Sequence, residues 1–204
     1  MNPIVYIVDD DDAVRDSLEL LFAVAGYRTL AFASGAAFLA GLDGGRTAVA
    51  VLDVRMPEMD GLTVQRELNE RGHRLPVVLI TGHGDVPMAV AAMKAGAVDF
   101  VEKPFTDEAI IEAVGRALAQ AERPAGQAEH EQAVERLGAL TPREREVLEA
   151  IVAGHANKMI AHKLSISPRT VEIHRARVMD KMQARNVSHL IRQALAAGVD
   201  APAG

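Results

Sequence analysis

The first 122 residues alternate short runs of apolar and β-branched residues with longer segments of helical periodicity. The apolar runs are continuous, which is typical of strands buried on both faces of a parallel sheet. Strict alternation of strand and helix requires right-handed crossovers, which place helices on both faces of the sheet. The pattern predicts a five-stranded, doubly wound α/β domain. Its strands are predicted at 4–9, 28–32, 48–53, 76–81 and 97–102, and its helices at 12–25, 34–41, 62–71, 86–95 and 107–121.

A polar segment separates this α/β domain, residues 1–122, from a helical C-terminal part. Residues 123–138 contain Pro124, Gly126 and mostly polar side chains, which predicts a linker with some helix towards its C-terminal end. Residues 139–204 carry only helical patterns, and two short helices are separated by "SIS" at 165–167. This spacing is typical of a helix-turn-helix, so the sequence predicts a small all-α domain of four helices.

Residues with capping chemistry stand at the predicted helix starts. Thr141 is followed by Pro142 and, two positions further on, by Glu144, a combination that favours a capping box. Asn157 is predicted to cap the second helix of this part, and Ser167 the third.

Charge divides the chain at nearly the same point. Residues 1–124 contain 11 Lys and Arg against 19 Asp and Glu, whereas 125–204 contain 11 against 9. Within 139–197 the count is 10 basic against 5 acidic residues. An acidic first part and a basic second part favour two functions, the second with an anionic partner.

Composition excludes several classes of protein. The absence of cysteine excludes disulfides and thiolate–metal sites. No apolar run reaches the roughly 18 residues of a membrane span, and no basic segment precedes the first apolar run. We therefore expect a soluble cytoplasmic protein that does not bind membranes.

Four consecutive acids follow the first strand in "VDDDD" (8–12). Neighbouring carboxylates about 4 Å apart repel by about 4 kcal/mol at an effective dielectric near 20, so they require solvent, a helix N-terminus or a cation. Asp12 is predicted to cap the first helix, which leaves Asp11 without a necessary role. Asp9 and Asp10 share the carboxyl edge of the sheet with Asp53, and three carboxylates there form an oxygen-rich pocket suited to Mg²⁺.

Two more polar residues are predicted at the same edge, Thr81 after the fourth strand and Lys103 after the fifth. Each of these residues taken alone has an ordinary explanation, since a strand-end Asp often caps a helix and a Lys is usually solvated. Their placement at four strand ends of one sheet favours a shared site.

Residues 1–122 resemble the receiver domain of two-component response regulators, which has a flavodoxin-like fold. The resemblance rests on "VDD" (8–10), "LDVRMPEMDG" (52–61), "TG" (81–82) and "KPF" (103–105). It implies that Asp53 accepts a phosphoryl group. It also implies that Asp10 binds Mg²⁺ directly, that Asp9 acts nearby or through water, and that the Arg55 carbonyl completes the ligands.

The resemblance assigns further roles at this edge. Thr81 would donate to the phosphoryl oxygens and Lys103 would pair with them, and the Lys103–Pro104 bond would be cis. Thr81 and Phe100 would form a switch in which the hydroxyl moves towards the phosphoryl group and the ring turns inwards. A static core role for Phe100 is the competing interpretation.

Residues 139–198 resemble the LuxR/NarL-type DNA-binding domain, through "LTPREREVL" and "NKMIAHKLSISPRTVEIHRARVMDKM". On a helical wheel the third helix has an apolar side and a side suited to a major groove. The apolar side carries Val171, His174, Val178 and Met182, with Met179 at its flank. The opposite side carries Arg169, Glu172, Ile173, Ala176, Arg177 and Asp180.

These positions predict contacts with DNA. Arg169 or Arg177 would bind guanine or backbone, Glu172 would accept from cytosine, and Ile173 and Ala176 would meet thymine methyl groups. Three other residues are expected at phosphates: Lys158, Thr170 and Arg175. His174 is expected to be a packed core residue. A small helical interaction domain is the alternative for the whole segment.

Two longer stretches resemble the FixJ subfamily: "LITGHGDVPMAVAAMKAGAVDFVEKPF" (79–105) and "SISPRTVEIHRARVMDKM" (165–182). This resemblance implies a transcriptional activator that is phosphorylated by a FixL-like sensor histidine kinase. It would be a monomer that dimerises on phosphorylation, binds promoter DNA and works with RNA polymerase at nitrogen-fixation or low-oxygen genes. A regulator of the same subfamily that answers another signal is the alternative.

The helix predicted at 86–95 is unusually apolar for a helix on a surface. Val86, Val90 and Met93 are predicted to pack on the sheet, and Met88, Ala91, Ala92 and Ala95 to form an exposed surface of small residues. This surface is predicted to pair two receivers after phosphorylation and to hold the C-terminal part before it.

Two other classes of function fit part of the pattern. A metal-dependent phosphohydrolase also combines an Asp nucleophile with Mg²⁺, and sustained turnover of p-nitrophenyl phosphate would favour it. The third hypothesis is DNA binding that does not depend on phosphorylation. We expect a regulator and not an enzyme.

Overall fold

The computed structural model describes residues 3–42, 47–82, 86–121 and 127–199. These residues form two compact units. The first lies within 1–84 and 95–123, and the second within 85–94 and 124–204. None of the helices in the described ranges is long and apolar enough to cross a membrane.

A five-stranded parallel sheet, in the order β2-β1-β3-β4-β5, is the centre of the first unit. All residues of β1, β3 and β4 are buried, which explains why their sequences are apolar without alternation. The predicted fold class is confirmed. The strands are β1 Ile4–Val8, β2 Arg28–Phe32, β3 Ala48–Asp53, β4 Val77–Thr81 and β5 Asp99–Glu102.

Helices cover both faces of this sheet. The first five helices of the chain are α1 Asp12–Val24, α2 Gly35–Gly41, α3 Gly61–Glu70, α4 Val86–Lys94 and α5 Asp107–Ala121. Phe22 of α1 and Ile110 of α5 are buried in one core with Val5 of β1. On the opposite face of β1, the ring of Tyr6 lies 5.5 Å from that of Phe38 on α2.

The first helix is capped by Asp11, so the prediction that Asp12 is the cap was wrong. Asp11 has extended backbone angles, and its carboxylate accepts hydrogen bonds from the N–H groups of Ala13, at 2.8 Å, and Val14. Asp12 is already the first residue of the helix, and its carboxylate pairs with Arg15 one turn further on. The two neighbouring carboxylates therefore have different partners.

The loop between β3 and α3 contains an exposed residue with a left-handed backbone, Glu58, at φ 64°. A side chain raises the energy of this conformation, and glycine adopts it without that cost. Gly61, at the other end of the loop, has no room for a side chain, because an added Cβ would collide with the carbonyl oxygen of Asp53.

We expect Glu58→Gly to raise the free energy of unfolding of the first unit by up to about 1 kcal/mol, because it removes this backbone strain. Urea denaturation checks the value, with Glu70→Gly as the control. Glu70 lies in the last turn of α3, where glycine should destabilise. Destabilisation by both substitutions would contradict the assignment of strain to Glu58.

The second unit contains α4 and the five helices that follow the first 121 residues. These are α6 Gln127–Gly138, α7 Pro142–Val152, α8 Asn157–Lys163, α9 Pro168–Lys181 and α10 Val187–Ala196. Helix α6 lies in the segment predicted as a linker and packs on α10, with Ala133 and Leu137 buried. The predicted capping box at Thr141 and the Ser167 cap are confirmed.

Asn157 does not cap α8, contrary to the prediction. The capping position is occupied by Ala156, which offers no side-chain hydrogen bond, and Asn157 is the first helical residue. The side-chain oxygen of Asn157 instead accepts a hydrogen bond from Arg175 of α9. A hydrogen bond between α8 and α9 therefore takes the place of the predicted capping hydrogen bond within α8.

Helix α4 packs on α10 and α7 within the second unit. Val90 and Met93 are buried, and Ala91 is exposed as predicted. Ala92 is fully buried, so its predicted exposure was wrong. Met88 and Ala95 are half-buried, and the side chain of Val86 lies outside the described residues.

Candidate functional site

Asp53 is the last residue of β3 and is nearly buried, with 5% of its surface exposed. One carboxylate oxygen, Oδ2, accepts a hydrogen bond from the backbone N–H of Arg55 at 2.6 Å. The other, Oδ1, accepts from the Nζ of Lys103 at 2.8 Å. The two oxygens are thus oriented by groups from the loop after β3 and from the loop after β5.

Lys103 joins two carboxylates. Its Nζ also donates to Oδ2 of Asp9 at 2.8 Å, and Asp9 is only 1% exposed. The structure therefore brings together three of the predicted site residues, from three strand ends. Burial weakens the screening of charges by water. The Lys103 ammonium group therefore interacts with the two carboxylates more strongly than a cation at the protein surface would.

The pKa values of this group reflect its burial. Burial raises the pKa of Asp53 above its ordinary value, and the nearby Asp9 charge adds to the rise, although the hydrogen bond from Lys103 opposes it. Burial alone would lower the pKa of Lys103, but hydrogen bonds to Asp53 and Asp9 outweigh it, so this pKa is raised. Burial thus disfavours the ionised form of the Asp53 carboxylate, and the hydrogen bond from Lys103 favours it.

The four consecutive acids have separate environments. Asp9 is buried, and its Oδ1 accepts from the N–H of Asp11 at 3.0 Å. Asp11 caps α1, Asp12 pairs with Arg15, and Asp10 is exposed at the end of β1. Among the described residues, no group of three His, Cys, Asp or Glu side chains is placed to hold a metal. Of the three predicted carboxylates, Asp9 and Asp53 share the Lys103 ammonium group as a partner.

The predicted switch residues lie on adjacent strands. Thr81 is fully buried at the end of β4, and its carbonyl accepts from the N–H of Lys103 at 2.7 Å. Phe100 is half-buried on β5 and lies opposite Leu79 of β4. The Lys103–Pro104 peptide bond is cis, as the resemblance implied.

Arg15 is a site residue that sequence reasoning missed. Its Nη1 donates to the backbone carbonyl of Asp9 at 2.7 Å, and its Nη2 pairs with Asp12. The i,i+3 spacing of Asp12 and Arg15 was a signal for the ion pair. The contact with Asp9 depends on the path of the loop and could not be inferred from spacing.

Helix α9 presents the predicted polar face to solvent. The six residues of this face are all exposed: Arg169, Glu172, Ile173, Ala176, Arg177 and Asp180. On the opposite side Val171, Val178 and Met182 are fully buried. Ile173 is 48% exposed, so its apolar side chain is accessible on this face.

The remaining predicted DNA contacts have different environments. Lys158 is exposed on α8. Thr170 is half-buried, and its hydroxyl forms a hydrogen bond with that of Ser167 at 2.8 Å. Arg175 is half-buried and bound to Asn157. His174 is half-buried too, which agrees with a packing role.

Comparison with known proteins identifies both the α/β part and the helical C-terminal part of the chain. A model of the response regulator receiver domain matches residues 5–115, and a model of the LuxR family of bacterial regulatory proteins matches residues 138–194. The transcriptional regulatory protein FixJ of Rhizobium meliloti is 52% identical over 197 residues, covering 95% of this chain and 96% of that protein. The chain belongs to the FixJ-type two-component response regulators.

Other relatives of this response regulator cover nearly the same length. Full-length FixJ from B. japonicum has a similar structure, with 45% identity and a TM-score of 0.55 over 96% of this chain and 97% of that one. The response regulator protein TodT of Pseudomonas putida is 42% identical over 190 residues, covering 93% of this chain and 84% of TodT. The family consists of DNA-binding transcription regulators, and accepting a phosphoryl group is not catalytic turnover.

Proposed function

We propose that this response regulator accepts a phosphoryl group on Asp53 from a sensor histidine kinase, then dimerises and activates transcription from promoter DNA. The observation that carries the proposal is the placement of the Asp53 carboxylate beside Asp9 and Lys103 at the carboxyl edge of the sheet. Such an edge is where open α/β folds bind their ligands.

The residues of this site suit phosphoryl transfer. An oxygen of Asp53 would form a bond to phosphorus while the bond from phosphorus to the kinase histidine nitrogen breaks, and that histidine would retain the electron pair. This reaction requires positioning and neutralisation of charge more than covalent assistance. The N–H of Arg55 orients the Asp53 carboxylate, and the Lys103 ammonium group supplies positive charge beside it. Thr81, at the end of β4, would donate to the phosphoryl oxygens.

The donor atoms at this edge fit Mg²⁺, which prefers oxygen, retains several waters and needs only one or two carboxylates. Asp9 and Asp53 already share one cation, the Lys103 ammonium group. We propose Asp53, Asp10 and the Arg55 carbonyl as ligands, with Asp9 nearby or bound through water. Bound Mg²⁺ would neutralise charge on the phosphoryl group during transfer.

The exposed face of α9 supports binding in a major groove. Its apolar residues Ile173 and Ala176 suit thymine methyl groups, and Glu172 suits the amino group of cytosine. Arg169 and Arg177 extend from the same face. Lys158, on α8, and Thr170 are proposed as phosphate contacts.

If Arg177 binds guanine, we expect Arg177→Ala to weaken the free energy of DNA binding by about 1–3 kcal/mol and to reduce the preference for the cognate sequence. If it binds only phosphate, cognate and scrambled duplexes should lose the same affinity and the salt slope should fall by about one. Titrations at two salt concentrations distinguish these results. Arg145, exposed on α7, provides a charge-matched control. Unchanged affinity for both duplexes would remove this position from the interface.

Helix α4 supports the proposed regulation. It packs on α10 within the second unit and leaves Ala91 exposed. We propose that phosphorylation of Asp53 acts through Thr81 and Phe100 to free this helix for pairing with the same helix of a second receiver. A symmetric dimer would present two α9 helices to a two-fold operator.

We expect the full chain to be a monomer and to become a dimer only with beryllofluoride and Mg²⁺, which mimic the phosphorylated Asp53. Light scattering measures both states. A fragment that lacks residues 1–124 should bind DNA without phosphorylation, more weakly than the activated dimer. The same molecular mass in both states would contradict dimerisation on phosphorylation. A fragment that binds DNA no better than the unphosphorylated full chain would contradict the inhibition of DNA binding by residues 1–124.

The relatives suggest the kind of signal and the target genes. The identity to FixJ favours a FixL-like kinase partner and nitrogen-fixation or low-oxygen genes, with recruitment of RNA polymerase. The likeness to TodT favours a regulator of the same type that answers another signal. Mobility shifts on genomic fragments, with and without acetyl phosphate and Mg²⁺, would identify the promoters. Shifts that do not depend on phosphorylation would instead support constitutive DNA binding.

A further inference from the structure

Arg175 is directed towards α8 in this structure. Its side chain is half-buried, and its Nη1 donates to Oδ1 of Asn157 at 2.8 Å. The burial lowers the pKa of Arg175, against the opposing effect of the Glu172 charge. A guanidinium group that is partly removed from water and hydrogen-bonded to a neighbouring helix is poorly placed to serve mainly as a contact with a DNA phosphate.

The side-chain oxygen of Asn157 is the acceptor of this hydrogen bond. Asn157 is the first residue of α8, where its side chain is not used for capping. A hydrogen bond from a charged donor to this amide therefore joins the start of α8 to the middle of α9. The two helices on either side of the helix-turn-helix turn are fixed to each other at a point far from the turn itself.

We propose that Arg175 and Asn157 form a clamp that sets the angle between α8 and α9 and thereby the sequence specificity of DNA binding. Arg175 is then a positioning residue and not a phosphate contact. The inference rests on the proposed insertion of α9 into a major groove.

The length of α9 makes specificity sensitive to this angle. Its 14 residues span about 21 Å at 1.5 Å per residue, so a tilt of about 5° about its centre moves each end by about 1 Å. A displacement of that size breaks a hydrogen bond to a base edge. Contacts with DNA phosphates tolerate a displacement of about 1 Å better, because long Lys and Arg side chains can follow the shift.

The test uses the full chain, activated with acetyl phosphate and Mg²⁺, and a duplex selected from a random pool by the wild-type protein. A scrambled duplex of the same composition measures non-specific binding. The variants are Arg175→Met, Arg175→Lys, Asn157→Ala and the double variant Arg175→Met with Asn157→Ala. Each affinity is measured over a range of salt concentrations, and circular dichroism checks that the helices are retained.

For the clamp, Arg175→Met should reduce the ratio of specific to non-specific affinity about tenfold, with the salt slope unchanged. Asn157→Ala should reproduce this loss, and the double variant should lose no more, because both changes remove one interaction. Arg175→Lys should recover only part of the ratio, since an ammonium group lacks the planar geometry of guanidinium.

Three results would overturn the clamp. The first is a salt slope lower by about one in Arg175→Met with equal losses on both duplexes, which identifies a phosphate contact. The second is an additive loss in the double variant. The third is wild-type specificity in Asn157→Ala, a variant that decides the matter even if Arg175→Met fails to fold. Failure of the wild-type chain to select any duplex would refute the proposed DNA-binding function, and the clamp with it.

Discussion

Asp53→Asn should abolish labelling of the chain by a phosphorylated histidine kinase, because it removes the nucleophilic carboxylate and keeps its size and shape. Asp9→Asn serves as a control, since it changes a neighbouring carboxylate that shares Lys103 but is not the proposed acceptor. That variant should be labelled more slowly and still be labelled. Wild-type labelling of Asp53→Asn would refute the assignment of the acceptor.

The same substitution should raise stability. Burial and the Asp9 charge disfavour the Asp53 carboxylate, so its pKa in the folded state lies above 3.8, its value when unfolded. The unfolded state therefore loses its proton first, and the native state loses stability as the pH rises through this range. Asp53→Asn should thus raise the free energy of unfolding near pH 7, and the gain should vanish as the pH falls below about 3.8. Urea denaturation over this pH range measures the difference.

Glu144→Gln should destabilise α7 and α9 by about 2 kcal/mol, because it breaks a buried interaction with a charged partner. Glu144 is 3% exposed, and its Oε2 accepts from the Nζ of Lys181 at 2.7 Å and from the N–H of Thr141 at 2.9 Å. Hydrogen exchange of amides in α7 and α9 of the full chain measures the loss. Glu149→Gln is the control on the same helix, since the Glu149–Arg145 pair is exposed. Equal effects of the two substitutions would contradict the importance of burial.

The Glu144 pair also predicts a dependence on pH. The hydrogen bond from Lys181, assisted by that from the N–H of Thr141, lowers the pKa of Glu144 from 4.5 to about 2. A lowered pKa means that the contribution is complete above 4.5 and is lost as the pH falls from 4.5 to about 2. Protection of the α7 and α9 amides should fall over this range in the wild-type chain. In Glu144→Gln the part of this loss of protection that comes from protonation of Glu144 should be absent.

The sequence by itself determined the order of the elements and the edge at which the site lies. Strand and helix periodicities are local properties, and in a parallel sheet they also fix which strand ends share an edge. The sequence therefore predicts that Asp9, Asp53 and Lys103 lie together, and the structure places them in contact. The exposed and buried sides of α9 were predicted for the same reason, since a helical wheel depends only on spacing along the chain.

Tertiary structure decided which of several equivalent side chains takes each role. Asp11 and Asp12 have the same chemistry, and only the backbone angles of the loop made Asp11 the cap. Asn157 had the composition of a cap, but the approach of α9 gave it Arg175 as a partner. Glu144 and Lys181 are 37 residues apart and meet only because α7 packs on α9. Hydrogen bonds and burial change over about 1 Å, a scale that sequence spacing does not define.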